Sequence, residues 1–169
     1  RSVFKCSMNQ TVETVFPDIA IPSPTYSVAQ APDKDIYIGT ESNGLYIYSE
    51  NWKLKKHVPI DGIIATILPD NNGDIWLGLD ETGICLFNKN KQTFTWLHKD
   101  NTNLNNNSIR TFVSYGDSSI LVGTFRGLNI LNKKELTIPP ANINIAGKGG
   151  LSHYSIHSML IDKDQTLWI

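Results

Sequence analysis

The sequence predicts an all-β fold of β-propeller blades, each a four-stranded antiparallel meander, with about four blade-equivalents in 169 residues. Three observations carry this. First, one phrase recurs: an apolar triplet closed by glycine, then a second glycine that opens another apolar run. It reads Ile36-Tyr37-Ile38-Gly39 with Gly44-Leu45-Tyr46-Ile47, Ile75-Trp76-Leu77-Gly78 with Gly83-Ile84-Cys85-Leu86, and Ile120-Leu121-Val122-Gly123 with Gly127-Leu128-Asn129-Ile130. A fourth copy begins at Leu167-Trp168-Ile169. Second, the triplet centres at 37, 76, 121 and 168 are spaced by 39, 45 and 47 residues, the repeat length of a propeller blade. Third, no stretch joins a helical apolar period to helix caps, so almost no helix is expected.

Each copy follows one grammar, and its strands are named a to d. Strand a is apolar and β-branched: Tyr26 to Ala29, Ile63 to Leu68, Ile109 to Val113 and Ile156 to Ile161. A polar turn follows, as in Pro32-Asp33-Lys34-Asp35, Asp70-Asn71-Asn72-Gly73-Asp74, Tyr115 to Ser119, and Asp162-Lys163-Asp164-Gln165. Strand b is the triplet. Its apolar character at alternate and intervening positions suits a sheet covered on both faces. The glycine that closes it marks a close backbone approach, and the next glycine, at 44, 83 or 127, supplies the positive φ that turns the chain into strand c. Strand d is more variable: Trp52-Lys53-Leu54, Thr93-Phe94-Thr95-Trp96 and Leu136-Thr137-Ile138.

The register divides the chain into a half blade at 1–20 (strands c and d), blades at 21–59, 60–104 and 105–150, and a half blade at 151–169 (strands a and b). Three whole blades between two complementary halves read as an excerpt from a longer propeller. Tyr37, Trp76 and Trp168 share one strand-b position and are expected between blades. Trp52 and Trp96 lie on strand d and are the better candidates for exposure.

Composition narrows the function classes. A formal net charge of −1 gives no electrostatic case for nucleic acid or an anionic membrane surface. Lys53, Lys55 and Lys56 read as charges guarding an edge strand. Sixteen asparagines, five within 101–107, fit a turn-rich β protein. Cys6 and Cys85 fall in different blades and are not expected to pair. No apolar run approaches the roughly 18 residues of a membrane span.

The phrase Ile67-x2-Asp70-x2-Gly73-Asp74-Ile75-Trp76-Leu77-Gly78-x4-Gly83-Ile84 resembles the two-component regulator propeller repeat. The last copy, from Ser155 through Asp162 to Trp168, resembles its first half. The first copy keeps Asp33, Ile36, Tyr37, Ile38, Gly39, Thr40, Gly44 and Leu45. The third keeps Ile120, Val122, Gly123, Thr124, Gly127 and Leu128, but has Leu121 for tryptophan and lacks the turn glycine. The resemblance implies a membrane-anchored parent, a hybrid two-component histidine kinase of the Bacteroidetes type. Its propeller region is exported to the periplasm, and many relatives respond to glycan fragments. Nothing in these residues matches a kinase or DNA-binding motif.

Other constellations yield to plainer readings. Asp70-Asn71-Asn72-Gly73-Asp74 lacks the closing bidentate carboxylate of a calcium loop, and its counterparts carry a central lysine, so a hairpin turn is expected and no metal. Asp70 and Gly73 are three apart, against the two of a sialidase-type Asp box. His57, His98, His153 and His157 sit in no nucleophile motif, and no enzyme activity or cofactor is assigned.

Propeller geometry places the b–c and d–a loops together, at the mouth of the channel. The candidate ligand-binding residues are therefore Glu41, Asn43, Asp80, Glu81, Phe125 and Arg126. Carboxylates, an amide, and an arginine beside an aromatic ring suit a polyhydroxylated ligand such as an oligosaccharide. The d–a loops are expected to include His57 to Asp61 and Asn101 to Asn107. Two rivals stay open: a structural or protein-interaction propeller, and a propeller lyase or glycosidase. The split end blades leave strand edges at 3–6 and 167–169. Pairing between two chains would close a ring of about eight blades, so a homodimer is expected.

Overall fold

A computed structural model describes residues 20–140 and 153–169, and the backbone of 3–6 and 12–15. Among the described residues there are strands and turns and no helix. Strands β1 (Val3–Cys6) and β2 (Val12–Val15) form an antiparallel pair. The first full meander is β3 (Thr25–Gln30), β4 (Ile36–Thr40), β5 (Leu45–Tyr48) and β6 (Leu54–Val58). The second is β7 (Ile64–Pro69), β8 (Asp74–Leu79), β9 (Gly83–Asn88) and β10 (Thr93–Leu97). The third holds β11 (Ile109–Tyr115), β12 (Ser119–Thr124) and β13 (Gly127–Asn132), with its fourth strand reduced to one bridge, Asn132 with Thr137. A last pair, β14 (Leu160–Ile161) and β15 (Leu167–Trp168), ends the chain. The contacts between sheets run through their a strands, β3 against β7 and β7 against β11. The sheets thus converge along the a edges and splay toward the d edges, as propeller blades do.

Two strands and one turn differ from their sequence expectation. Strand d of the first blade starts at Leu54, because Trp52 turns the chain with φ of 61° and its amide bonds back to Ser49. His57 and Val58 therefore lie in β6, not in the d–a loop. In the last copy only Leu160 and Ile161 pair, since the Leu160–Trp168 register exhausts the opposing strand at Ile169. The first copy also shifts register. Ala31, not Asp33, occupies the position of Asp70 and Asp162: in each turn the amide three residues on bonds to that residue's carbonyl. Lys34, Gly73 and Gln165 follow with positive φ. This is a type I turn with a left-handed residue after it, a short hairpin connection that tolerates non-glycine residues.

Strand b is the core of each blade. All of β4 is buried, as are Ile75 to Leu79 in β8. Tyr37, Leu45 and Ile47 pack on Ile75, Leu77, Cys85 and Phe87 of the second blade. Trp76 and Ile84, on the other face, pack on Phe112, Ile120 and Val122 of the third. Leu121 and Leu128 then meet Ile156, Met159 and Leu167. The first glycine of each phrase is where blades touch. A Cβ built on Gly39, Gly78 or Gly123 would lie 2.6, 2.5 or 2.7 Å from the Cγ2 of Ile64, Ile109 or Ile156 in the next blade. Beside it, strand a is bulged at Thr25/Ser27, Ile64/Thr66 and Ile109/Thr111. A bulge bends the strand toward its neighbour, and Ser27 spans the junction by donating to the Ile64 carbonyl at 2.7 Å.

Exposure follows blade neighbours more than sequence. Trp76 is 1% exposed but Trp168, in the same register position, is 60% exposed, contrary to expectation. Both indoles donate to the aspartate six residues before, Trp76 to Asp70 at 3.5 Å and Trp168 to Asp162 at 2.7 Å. The difference is that nothing among the described residues stacks on the Trp168 face. At the other end, Val28 is 65% exposed although its counterpart Phe112 is 7% exposed.

A second junction device lies on the a–b turns. Lys89 reaches back one blade to Asp33 and Asp35, at 2.5 and 2.7 Å, and Lys133 reaches back to Asp70 at 3.0 Å. Lys55 closes on Asp35 from within its own blade at 2.7 Å. Burial disfavours a charged Lys89, but the hydrogen bonds it donates to Asp33 and Asp35 outweigh this and hold it protonated above the ordinary lysine range. The Lys89 bond likewise holds Asp33 below the usual carboxylate range.

Candidate ligand-binding face

The b–c loops carry every sequence-predicted site residue, and each loop is tied to the start of strand a in its own blade. The amides of Glu41, Asp80 and Phe125 donate to the carbonyls of Pro24, Ile63 and Ser108 at 2.9, 3.0 and 3.0 Å. The b–c and d–a loops thus share one end of the sheets. Where strand b ends in threonine, its hydroxyl shapes the loop. Thr40 and Thr124 donate to the carbonyls of Gly44 and Gly127, and accept from the amides of Asn43 and Arg126. Gly44 and Gly127, with φ of 74° and 118°, complete the turns. The second blade has Leu79 at that position. Its loop instead turns at Glu81, with φ of 64°, and the Glu81 amide bonds to the Ser108 hydroxyl of the next blade at 3.3 Å.

The side chains divide into two groups. Asp80 pairs with Arg110 at 3.5 Å, and the Arg110 guanidinium stands 5.8 Å over the ring of Phe125. This chain joins the second and third blades through a half-buried arginine whose Nε has no hydrogen-bond partner. Arg126 is exposed next to it. Glu81 lines a shallow hollow of about 210 Å³ with Lys99, Asn106, Asn107 and Ser108. Asn43 is committed to its own blade: its side-chain oxygen accepts from the Tyr46 hydroxyl at 2.7 Å, and its carbonyl faces His57 Nε2 at 2.6 Å. Glu41, on the same loop, is half-buried.

On the other side of the Asp80–Thr82 loop is a larger cleft of about 340 Å³, lined by Pro59, Ile60, Asp61, Thr82, Phe94 and Trp96. It opens where the first two blades splay. Phe94 and Trp96 alternate along β10 and so share a face. The Phe94 ring is backed by Phe87 at 5.1 Å, nearly parallel. Sequence reasoning placed Asp61 in a d–a loop and singled out Trp96 for exposure, but gave no sign that they converge. It missed Lys99 and Arg110, whose roles arise only from blade-to-blade neighbours. Among the described residues, no three His, Cys, Asp or Glu side chains come together as a metal site.

No protein-family model and no curated protein sequence matches this chain. Solved structures do. The extracellular domain assigned to hybrid two component system BT3049 of B. thetaiotaomicron superposes with a TM-score of 0.71 at 24% identity, over 99% of this chain and 22% of that one. That assigned to BT4673 of the same organism gives 0.73 at 19% identity, over 99% and 23%. The chain shares the fold of these extracellular domains. It also superposes on the computationally designed Ika4 protein, with a TM-score of 0.62 at 10% identity, over 88% of this chain and 91% of that one. The chain spans less than a quarter of the length of the two extracellular domains.

Proposed function

We propose that this chain is part of the periplasmic sensor region of a hybrid two-component histidine kinase, where it recognises an oligosaccharide fragment and passes the signal to a phosphorelay beyond it. The observation that carries this is the likeness over 99% of the chain to two such extracellular domains. The repeat phrase itself supports a place in the two-component regulator propeller repeat family. The b–c and d–a loops, with Trp96 of β10, supply the chemistry: Glu81 and Lys99 in one hollow, Asp61 and Trp96 in the other. Aromatic surface with a few convergent polar groups is the usual make-up of a small-ligand site. No catalytic role is proposed for any of these residues. Calorimetry of the chain against a panel of neutral, acidic and basic oligosaccharides tests the reading. At least one binder is expected. Silence across the panel favours a structural propeller.

The apolar ends support a homodimer. Leu160 and Trp168 at one end, and Tyr26 and Val28 at the other, are exposed on blade faces. Pairing Leu167-Trp168-Ile169 of one copy with Val3-Phe4-Lys5 of the other would complete both broken blades and cover these faces. Light scattering is expected to give twice the 18.9 kDa chain mass, and Ile169→Lys should restore the monomer. A wild-type chain that stays monomeric at micromolar concentration refutes the dimer.

A further inference from the structure

We infer that the cleft between the first two blades is a subsite for an organic ammonium group carried on a ring, as in an oligosaccharide with free amines. It rests on the sensor reading above and narrows the ligand class at one place. Two exposed rings, Phe94 and Trp96, line one side, at 43% and 36% exposure. Asp61 lines the same cleft, an exposed carboxylate with no hydrogen bond or ion pair among the described residues. No basic side chain lines the cleft, and the next charge along the b–c loop is Glu81, also negative. Several acidic side chains on other turns are instead matched: Asp33 and Asp35 by lysines, Asp70 by Lys133, Asp80 by Arg110.

The chemistry fixes the sign of the ligand. A ring face attracts a cation through its quadrupole, indole most strongly. An unpaired carboxylate beside it adds attraction for the same charge and repels sulfates and uronates. Thr82 also lines the cleft; its hydroxyl donates to the Asp80 carbonyl at 3.3 Å and keeps its acceptor capacity for a neutral hydroxyl. The cleft therefore selects a cationic, ring-bearing unit over its neutral or acidic analogue.

The test is titration of the 169-residue chain with glucosamine oligomers and with N-acetylglucosamine oligomers of the same length, followed by calorimetry and indole fluorescence. The free-amine oligomer should bind about five-fold tighter, the size expected of one solvent-accessible cation–aromatic contact. Raising the pH until the sugar amine loses its proton should abolish the preference without changing the protein sequence. Asp61→Asn should lower the preference, leaving the part that the rings supply, while keeping residual binding of both oligomers. Trp96→Ala should remove both, with circular dichroism confirming the fold. Equal or tighter binding of the acetylated oligomer, an unchanged preference in Asp61→Asn, or no binding of either oligomer overturns the subsite. Binding of another panel member that survives Trp96→Ala leaves the sensor reading standing while this inference falls.

Discussion

Trp76 and Trp168 make a matched pair for measuring what blade stacking contributes. They share a register position, and each indole donates to the aspartate six residues before it. They differ in cover, at 1% and 60% exposure. A buried aromatic removes about 150–250 Å² from water, and at about 25 cal/mol per Å² this is worth roughly 4–6 kcal/mol. Truncation leaves a cavity but also leaves the alanine methyl, so Trp76→Ala should cost about 3–5 kcal/mol. For Trp168, with 60% of its surface in water, the same area bookkeeping gives at most about 2.5 kcal/mol. Urea denaturation of both variants, with slopes compared to confirm two-state behaviour, measures the difference. Costs that agree within about 1 kcal/mol would refute the argument, because stacking would then not be what stabilises the buried indole.

Further outcomes follow from the junctions and the core. Gly78→Ala sets a methyl 2.5 Å from both Ile109 and Thr66; it should cost about 1–3 kcal/mol in the same denaturation assay. Lys89→Met should cost about 1–2 kcal/mol at neutral pH. It should also blunt the acid limb of the stability profile. The folded Asp33 carboxyl is depressed, so its contribution is present above the ordinary carboxylate pKa near 3.8 and is lost as pH falls through the folded value. At the alkaline end the sign reverses: the raised Lys89 favours the fold below the ordinary lysine range, and that contribution disappears as pH rises through its folded value. Burial pushes the Cys85 thiol up to about 12, so in a Cys6→Ser background a disulfide reagent at pH near 8 should label the chain only on unfolding.

The features legible in sequence were those with local steric causes. Gly44, Gly83 and Gly127 turn with positive φ, and Gly39, Gly78 and Gly123 admit the next blade's isoleucine. Both demands act on one residue, so they repeat visibly. What could not be read depends on neighbours far along the chain. Nothing in Leu167-Trp168-Ile169 distinguishes it from Ile75-Trp76-Leu77, yet only the second is covered on both faces. Asp33 looked like the counterpart of Asp70, because an acidic turn of similar length hides a two-residue shift; only the turn hydrogen bonds place Ala31 there. At the candidate face, the loops holding Glu41, Asp80, Glu81, Phe125 and Arg126 were predictable from the meander. That Asn43 is spent on Tyr46 and His57 was not, since the partners come from β5 and β6. Arg110 lies at the bulge near the start of β11, and only the packing of two blades gives it Asp80 and Phe125.

The glycine that ends each strand b has a consequence for the size of the ring. It holds successive blades at a fixed gap along their converging edge, with an isoleucine methyl filling the space a Cβ would need. A close-packed junction cannot absorb an extra methyl without moving one sheet. Pushing the sheets apart at the axis reduces the rotation from each blade to the next, and a smaller rotation needs more blades to complete a circle. The circumference is thus written three times in this chain by an atom that is not there.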